Sequence, residues 1–183
     1  MQPIIRRVSQ LEVPALHEVL LACGFDLKNR FGLNHWLAPI YPLENMLKDA
    51  DEHEVYALTV GENLVGTFML EMTAEVPFTY IKYGNIIWQV WNVPALYVHK
   101  LAILPTWQGQ GLGTWCMQAI EELASTRGSH AVRLDAVKTH QKLLSFYANR
   151  GYVQVGELIF NSDNMWVDAI VFEKVLVPNL ETS

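Results

Sequence analysis

Nucleophilic sulfur is scarce in this chain: of 183 residues only Cys23 and Cys116 are cysteines. They form no CxxC and no metal-ligand spacing, which removes a disulfide framework, a zinc ribbon and a thiol redox motif. Cys116 falls on an apolar helical stripe and reads as a small buried hydrophobe. Charge is sparse as well. Only 17% of residues are charged and the net charge is −6, which argues against a surface built to hold nucleic-acid phosphates. Lys, Glu, Asp or Gly interrupts every long apolar stretch, so no membrane span is expected. The opening Met1-Gln2-Pro3-Ile4-Ile5-Arg6-Arg7 lacks the charged-then-apolar order of a signal peptide, and a cytoplasmic location is the expectation. No internal repeat, low-complexity tract or linker is visible.

What is present is apolar residue in quantity, 51% of the chain, enough for one sizeable core. Length and composition together predict a single domain, residues 3–178. Ile4–Val8 reads as a first strand. Val13–Cys23 reads as a helix, with Val13, Leu16, Leu20 and Cys23 at helical spacing and Gly24 and the Gly32 region breaking it. Pro42 starts a short helix over Leu43–Lys48. Val55–Val60 and Leu64–Met72 are strands around the turn Gly61-Glu62-Asn63. Residues 74–94 read as irregular and aromatic, and Ala95–Leu104 as a strand buried on both faces.

Gly111–Arg127 is the clearest helix. Its stripe is Leu112, Trp115, Cys116, Ala119, Ile120 and Leu123, with Glu121 and Glu122 facing outward. A strand over Ala131–Val137, a helix over Gln141–Arg150 and strands over Tyr152–Phe160 and Asp168–Val177 complete the chain. The strand–helix–strand unit at 95–137 should be a right-handed crossover with parallel strands, and the early hairpin and final strands should be antiparallel. The predicted class is α/β (α+β): a mixed central β-sheet flanked by helices on both faces.

Residues 108–113 read Gln-Gly-Gln-Gly-Leu-Gly and lie between a buried strand and an amphipathic helix. A helix start offers backbone N–H groups outside its own ladder and the positive end of a dipole. Glycine lets the backbone approach an anion closely. Such a turn suits a phosphate or pyrophosphate. No Lys-Ser/Thr follows, so it is not a Walker A loop. Nor does a ribose-binding acid follow at a strand end in the dinucleotide pattern.

Here the sequence resembles the GNAT superfamily of N-acetyltransferases. The family's pyrophosphate motif, Gln/Arg-x-x-Gly-x-Gly/Ala, appears as Gln108-x-x-Gly111-x-Gly113, preceded by Leu101-Ala102-Ile103-Leu104-Pro105. Its second signature, Asn-x-x-Ala-x-x-x-Tyr-x-x-x-Gly-Phe, appears as His140-x-x-Leu143-x-x-x-Tyr147-x-x-x-Gly151-Tyr152. The spacing holds throughout, with His140 and Leu143 in place of Asn and Ala. The likeness covers residues 54–152.

The resemblance implies that acetyl-CoA is the co-substrate. The backbone of Leu101, Ala102 and Ile103 would bind the pantetheine arm. The N–H groups of Gln108, Gly109, Gln110, Gly111, Leu112, Gly113 and Thr114 would hold the pyrophosphate. His140 would replace the usual Asn as a donor, or simply face solvent at its helix start. Tyr147 matches the tyrosine that contacts the cofactor sulfur and protonates the leaving thiolate; packing beside Phe146 is the alternative.

Strand alternation sets Tyr97, His99, Leu101 and Ile103 on one face. Arylalkylamine-type members carry histidines on this strand, so His99 is the candidate base, with Tyr97 its neighbour and Glu71 the other candidate. A satisfied core histidine is the plain alternative. The implied reaction is direct attack of a small-molecule primary amine on the thioester in a ternary complex, with no metal. Other readings are a protein N-terminal or lysine acetyltransferase, and a non-catalytic acetyl-CoA-binding module. The aromatic segment 74–94, with Trp88, Trp91, Tyr80 and Tyr83, lines an acceptor pocket, packs a homodimer or fills the core.

Overall fold

The computed structural model describes residues 2–162 and 165–176, so Val177 and the expected domain end at 178 lie outside the described residues. Among the described residues, eight strands and five α-helices follow in chain order. They are β1 (Pro3–Arg7), α1 (Val13–Phe31), α2 (Leu43–Glu52), β2 (Glu54–Val60), β3 (Asn63–Thr73), α3 (Phe78–Tyr83) and β4 (Gly84–Ile86). There follow β5 (Ala95–Ile103), α4 (Leu112–Thr126), β6 (Ala131–Val137), α5 (Gln141–Ala148), β7 (Val153–Ser162) and β8 (Met165–Val175). The strands are hydrogen-bonded in the order β1-β2-β3-β5-β6-β8-β7-β4.

As the crossover argument requires, β5 and β6 are parallel, in register from Ala95↔Ala131 to Val98↔Leu134. The early hairpin β2–β3 and the final pair β7–β8 are antiparallel. The sheet is therefore mixed. Among the described residues no helix is long and apolar enough to cross a membrane.

Two expectations about where elements begin and end need correction. Gly24 does not stop α1, which runs on to Phe31 and ends where Gly32 turns left-handed, φ 71°. A Cβ on Gly24 would lie 2.9 Å from Leu37 Cδ2 and 3.2 Å from Trp36 Cβ. The glycine is a packing notch, and its helix cost of about 1 kcal/mol is offset by the contact it permits. Residues 74–94 are also less irregular than expected. They hold α3 and the short strand β4, which pairs antiparallel with β7. Six- and three-residue elements are too short to show a period.

The chain divides into two compact units, each described by itself: Met1–Glu71 with His99–Ala119, and Met72–Val98 with Ile120–Ser183. Strand β5 contributes its two halves to different units. In the first, Leu16 and Leu20 of α1 and Met46 of α2 bury against Ala57, Met69 and Ala102 of the strands. Strands β3 and β5 approach closely here, since a Cβ on Gly66 would meet the Ala102 carbonyl oxygen at 2.7 Å.

The second unit is built around a buried charge. Arg133 and Glu173 have side chains 1% and 0% exposed and form an ion pair at 2.9 Å. Arg133 also donates to the Tyr97 hydroxyl at 2.7 Å and to the Val90 carbonyl, and its guanidinium lies 4.1 Å from the Trp88 ring centroid. The Gln89 N–H donates to the other Glu173 oxygen at 2.6 Å. Glu121, expected to face outward, instead accepts from the Tyr152 hydroxyl at 3.0 Å and from Lys174 at 2.6 Å.

Removing one member of a buried, hydrogen-bonded pair strands the other charge. Glu173→Ala is expected to cost about 3–5 kcal/mol, read as a lower denaturation midpoint; a loss under about 1 kcal/mol would mean that Arg133 finds other solvation.

Candidate active site

The Gly-rich turn is built as its sequence suggests. Gly109 and Gly111 have φ of 77° and 82°, and open space lies where each Cβ would be. Backbone conformation, rather than crowding, therefore selects glycine at both. At the start of α4 the Trp115 N–H donates to the Gly111 carbonyl at 3.0 Å, an i→i−4 bond. The N–H groups of Leu112 and Gly113 precede it and lie outside that ladder, at the positive end of the helix. Side chains brace the loop: Gln108 donates to the Ile103 carbonyl at 2.9 Å and Gln110 to the Thr106 carbonyl at 3.0 Å. The Ile103 carbonyl also accepts from the Cys23 thiol at 3.3 Å.

A concave surface of about 330 Å³ opens beside the turn, lined by Pro3, Val60, Trp107, Gln110, Gly111, Leu112 and Trp115.

Strand β5 does not alternate regularly through the site. Lys100 has φ 52°, a left-handed conformation that few non-glycine residues adopt. Its ammonium is anchored to Asp49 at 2.8 Å and stands 4.8 Å from the Tyr41 ring centroid. The Tyr41 hydroxyl donates to the same carboxylate at 2.6 Å. Burial alone would raise the Asp49 pKa; Lys100 and the Tyr41 hydroxyl outweigh it and hold the carboxyl below its usual value.

Next to this turn the His99 Nε2 faces Glu71 Oε2 at 3.3 Å, and the His99 ring stacks on His53 at 5.2 Å. Since a carboxylate only accepts, this contact sets the His99 proton on Nε2 and leaves Nδ1 as the acceptor nitrogen. The hydrogen bond from His99 holds the Glu71 carboxyl below its usual pKa, against the opposing effect of burial. Burial, reinforced by the nearby His99 charge, pushes the His53 pKa down.

The side chains in contact with His99 are Glu71 and His53. Tyr97 is buried and accepts from Arg133 in the core of the second unit. His53 and Lys100 were not foreseen. They are remote in sequence from each other and from Glu71, and no local motif links them.

In the second unit, His140 caps α5. Its Nδ1 accepts from the Leu143 N–H at 3.2 Å, so the neutral ring carries its proton on Nε2 as a donor. Tyr147 is 4% exposed, its ring 5.2 Å from Phe146 and 5.7 Å from both Tyr152 and Phe172. Tyr80 and Trp88 are core: both are buried and pack on Tyr97. Phe78 and Trp91 are exposed.

The Acetyltransferase (GNAT) family model matches residues 14–152. The chain belongs to the GNAT acetyltransferase family. It is a transferase enzyme by that membership. No curated protein matches it. Among solved structures, a GNAT-family acetyltransferase from Streptococcus agalactiae is 14% identical with a TM-score of 0.76, covering 96% of each chain. A GCN5-related N-acetyltransferase from Rhodopseudomonas palustris is 17% identical with a TM-score of 0.72, covering 96% of this chain and 97% of its own. A ribosomal-protein-alanine N-acetyltransferase from Brucella melitensis is 17% identical with a TM-score of 0.64, covering 94% and 99%. At these identities the likeness is one of fold.

Near the site, His35 has its pKa pushed down to about 4, chiefly by burial and then by the charge of Lys100. The sign follows from linkage. The folded ring stays neutral while the unfolded ring protonates below its ordinary value of 6.5, so the unfolded chain binds more protons and gains as pH falls. The contribution is complete above 6.5 and is lost as pH drops toward about 4. On the order of 3 kcal/mol should disappear across that window. His35→Gln should flatten that limb of the stability–pH curve; an unchanged limb would assign the acid lability elsewhere.

Proposed function

We propose that this GNAT enzyme transfers an acetyl group from acetyl-CoA to the primary amine of a small-molecule acceptor, by direct attack in a ternary complex. The observation that carries the reading is the His99–Glu71 pair at 3.3 Å, on the strand that leads into the Gly-rich turn. Family membership supports the cofactor and the amine as reactants. Residues 3–178 act as one acetyltransferase domain in this reading, since the family match draws on residues of both compact units. A cytoplasmic enzyme is part of the same proposal.

An alkylamine with a pKa near 10.4 is protonated at pH 7, and reaching its neutral form costs about 4–5 kcal/mol. His99 Nδ1 accepts that proton, directly or through one water, and the ionised Glu71 stabilises the imidazolium that forms. The neutral amine then attacks the thioester carbonyl. Backbone N–H groups stabilise the oxyanion, and collapse breaks the carbon–sulfur bond. Tyr147 donates a proton to the departing thiolate, whose conjugate acid has a pKa of roughly 8.5. No protein nucleophile and no metal is needed for these steps.

The backbone of Leu101, Ala102 and Ile103 lies along the pantetheine. The N–H groups of residues 108–114 hold the pyrophosphate, and the His140 Nε2–H is a further donor to the cofactor.

Thermal unfolding with acetyl-CoA, beside NAD and ATP as controls, tests the cofactor. At about 100-fold excess over Kd the ligand adds roughly 2.7 kcal/mol, which should raise Tm by roughly 5–10 °C. The absence of a shift at saturating acetyl-CoA would withdraw the cofactor assignment. With an amine found by screening for thiol release, His99→Ala should lower kcat by roughly 10²–10⁴-fold at pH 7. That deficit should narrow as pH rises toward the amine's own pKa; a uniform deficit, or none, removes His99 as the base.

A further inference from the structure

His53, Glu71 and His99 arrive from three elements of the first unit: the residue after α2, the C-terminal part of β3 and the middle of β5. Each offers a ligand atom, and these atoms lie within 4.8 Å of one another. The His53 Nδ1 is buried and has no hydrogen-bond partner. A buried imidazole nitrogen without a partner is unusual, because burial removes it from water without a compensating bond. A bound cation would supply that partner.

From this geometry we propose that His53, Glu71 and His99 form a binding site for Zn²⁺ or a similar borderline divalent ion. Two imidazoles and one carboxylate are the ligand set of open zinc sites, with a fourth position left for water or another donor. Tetrahedral bonds of about 2.0–2.2 Å require ligand atoms roughly 3.3–3.6 Å apart. The His99–Glu71 separation is already 3.3 Å. The other separations, at most 4.8 Å, would have to shorten by up to roughly 1.2–1.5 Å to reach that geometry.

The neighbouring charges are arranged permissively. Lys100 follows His99 in the chain, and its ammonium is held on Asp49 at 2.8 Å. Asp49 is also the carboxylate whose backbone carbonyl accepts from the His53 N–H at 2.8 Å, fixing the end of α2.

Zinc here is an inhibitor and not a cofactor. This consequence rests on the reading of His99 as the base. An ion on Nε2 takes the lone pair there and sends the ring proton to Nδ1, the nitrogen that the reaction needs as acceptor, and the Glu71 contact that orients His99 is spent on the ion.

The test has a binding arm that needs no substrate. The full chain is titrated with Zn²⁺ against a chromophoric chelator at pH 7.5, and with Co²⁺, whose visible absorption reports coordination. One ion per chain is expected. His53→Ala and Glu71→Gln should each weaken binding at least tenfold and abolish the Co²⁺ absorption band, while His130→Ala, remote in sequence from the site, should not. Circular dichroism and Tm confirm that each variant is folded, and His53→Gln replaces any that is not.

Failure of the wild-type chain to bind, or undiminished binding in the His53 and Glu71 variants, overturns the site. In the activity arm, chelator-reversible loss of amine acetylation is expected. Binding at one ion per chain without that loss would leave the site standing and sink His99 as the base.

Discussion

A residue with a side chain does not sit readily at φ 52°, and Lys100 holds that conformation inside a strand of the sheet. Strain of this kind costs on the order of 1–3 kcal/mol and persists only where the surroundings over-determine it. Here they do. The ammonium is tied to Asp49, that carboxylate is tied to the Tyr41 hydroxyl, and the Tyr41 ring belongs to the core of the first unit. The left-handed residue ends the regular alternation of β5. Residues 95–98 are core of one unit, whereas His99 turns to Glu71 and His53 in the other. Lys100, held by Asp49, directly follows the residue to which the proposed chemistry is assigned.

Much of the architecture could be read from periodicity. The stripes of α1 and α4, the hairpin β2–β3 and the crossover from β5 to β6 follow from apolar spacing and from glycine and proline at the ends. Where the reading failed, tertiary packing had overridden a local rule. Gly24 looked like a helix stop and is a gap into which Leu37 and Trp36 settle. Glu121 looked like a solvated face and holds two partners from β7 and β8 or their margins. The elements α3 and β4 are too short for any period to emerge.

The site divides in the same way. The Gly-rich turn was legible because its chemistry is local: strand, left-handed glycines and helix start are consecutive in the chain. His99 was legible only as a candidate; its contacts with Glu71 and His53 were not, and its neighbour Tyr97 lies with Arg133. The cluster around His99 draws on residues from α2, β3 and β5 that only the fold assembles. Buried charge was hidden for the same reason. Nothing in the sequence near Arg133 announces that Glu173, Tyr97 and Trp88 will surround it.

The two cysteines bear on how such an enzyme is observed. Both are buried, and burial pushes both thiols up to about 12. A thiol reacts with disulfide and maleimide reagents as its thiolate, and at neutral pH almost none is available from Cys23 or Cys116. The folded protein is therefore nearly silent toward sulfhydryl dyes. A coenzyme A thiol, with a pKa lower by several units, would be the fast-reacting sulfur in the cuvette, so the background against which turnover is counted is set by the protein's own packing.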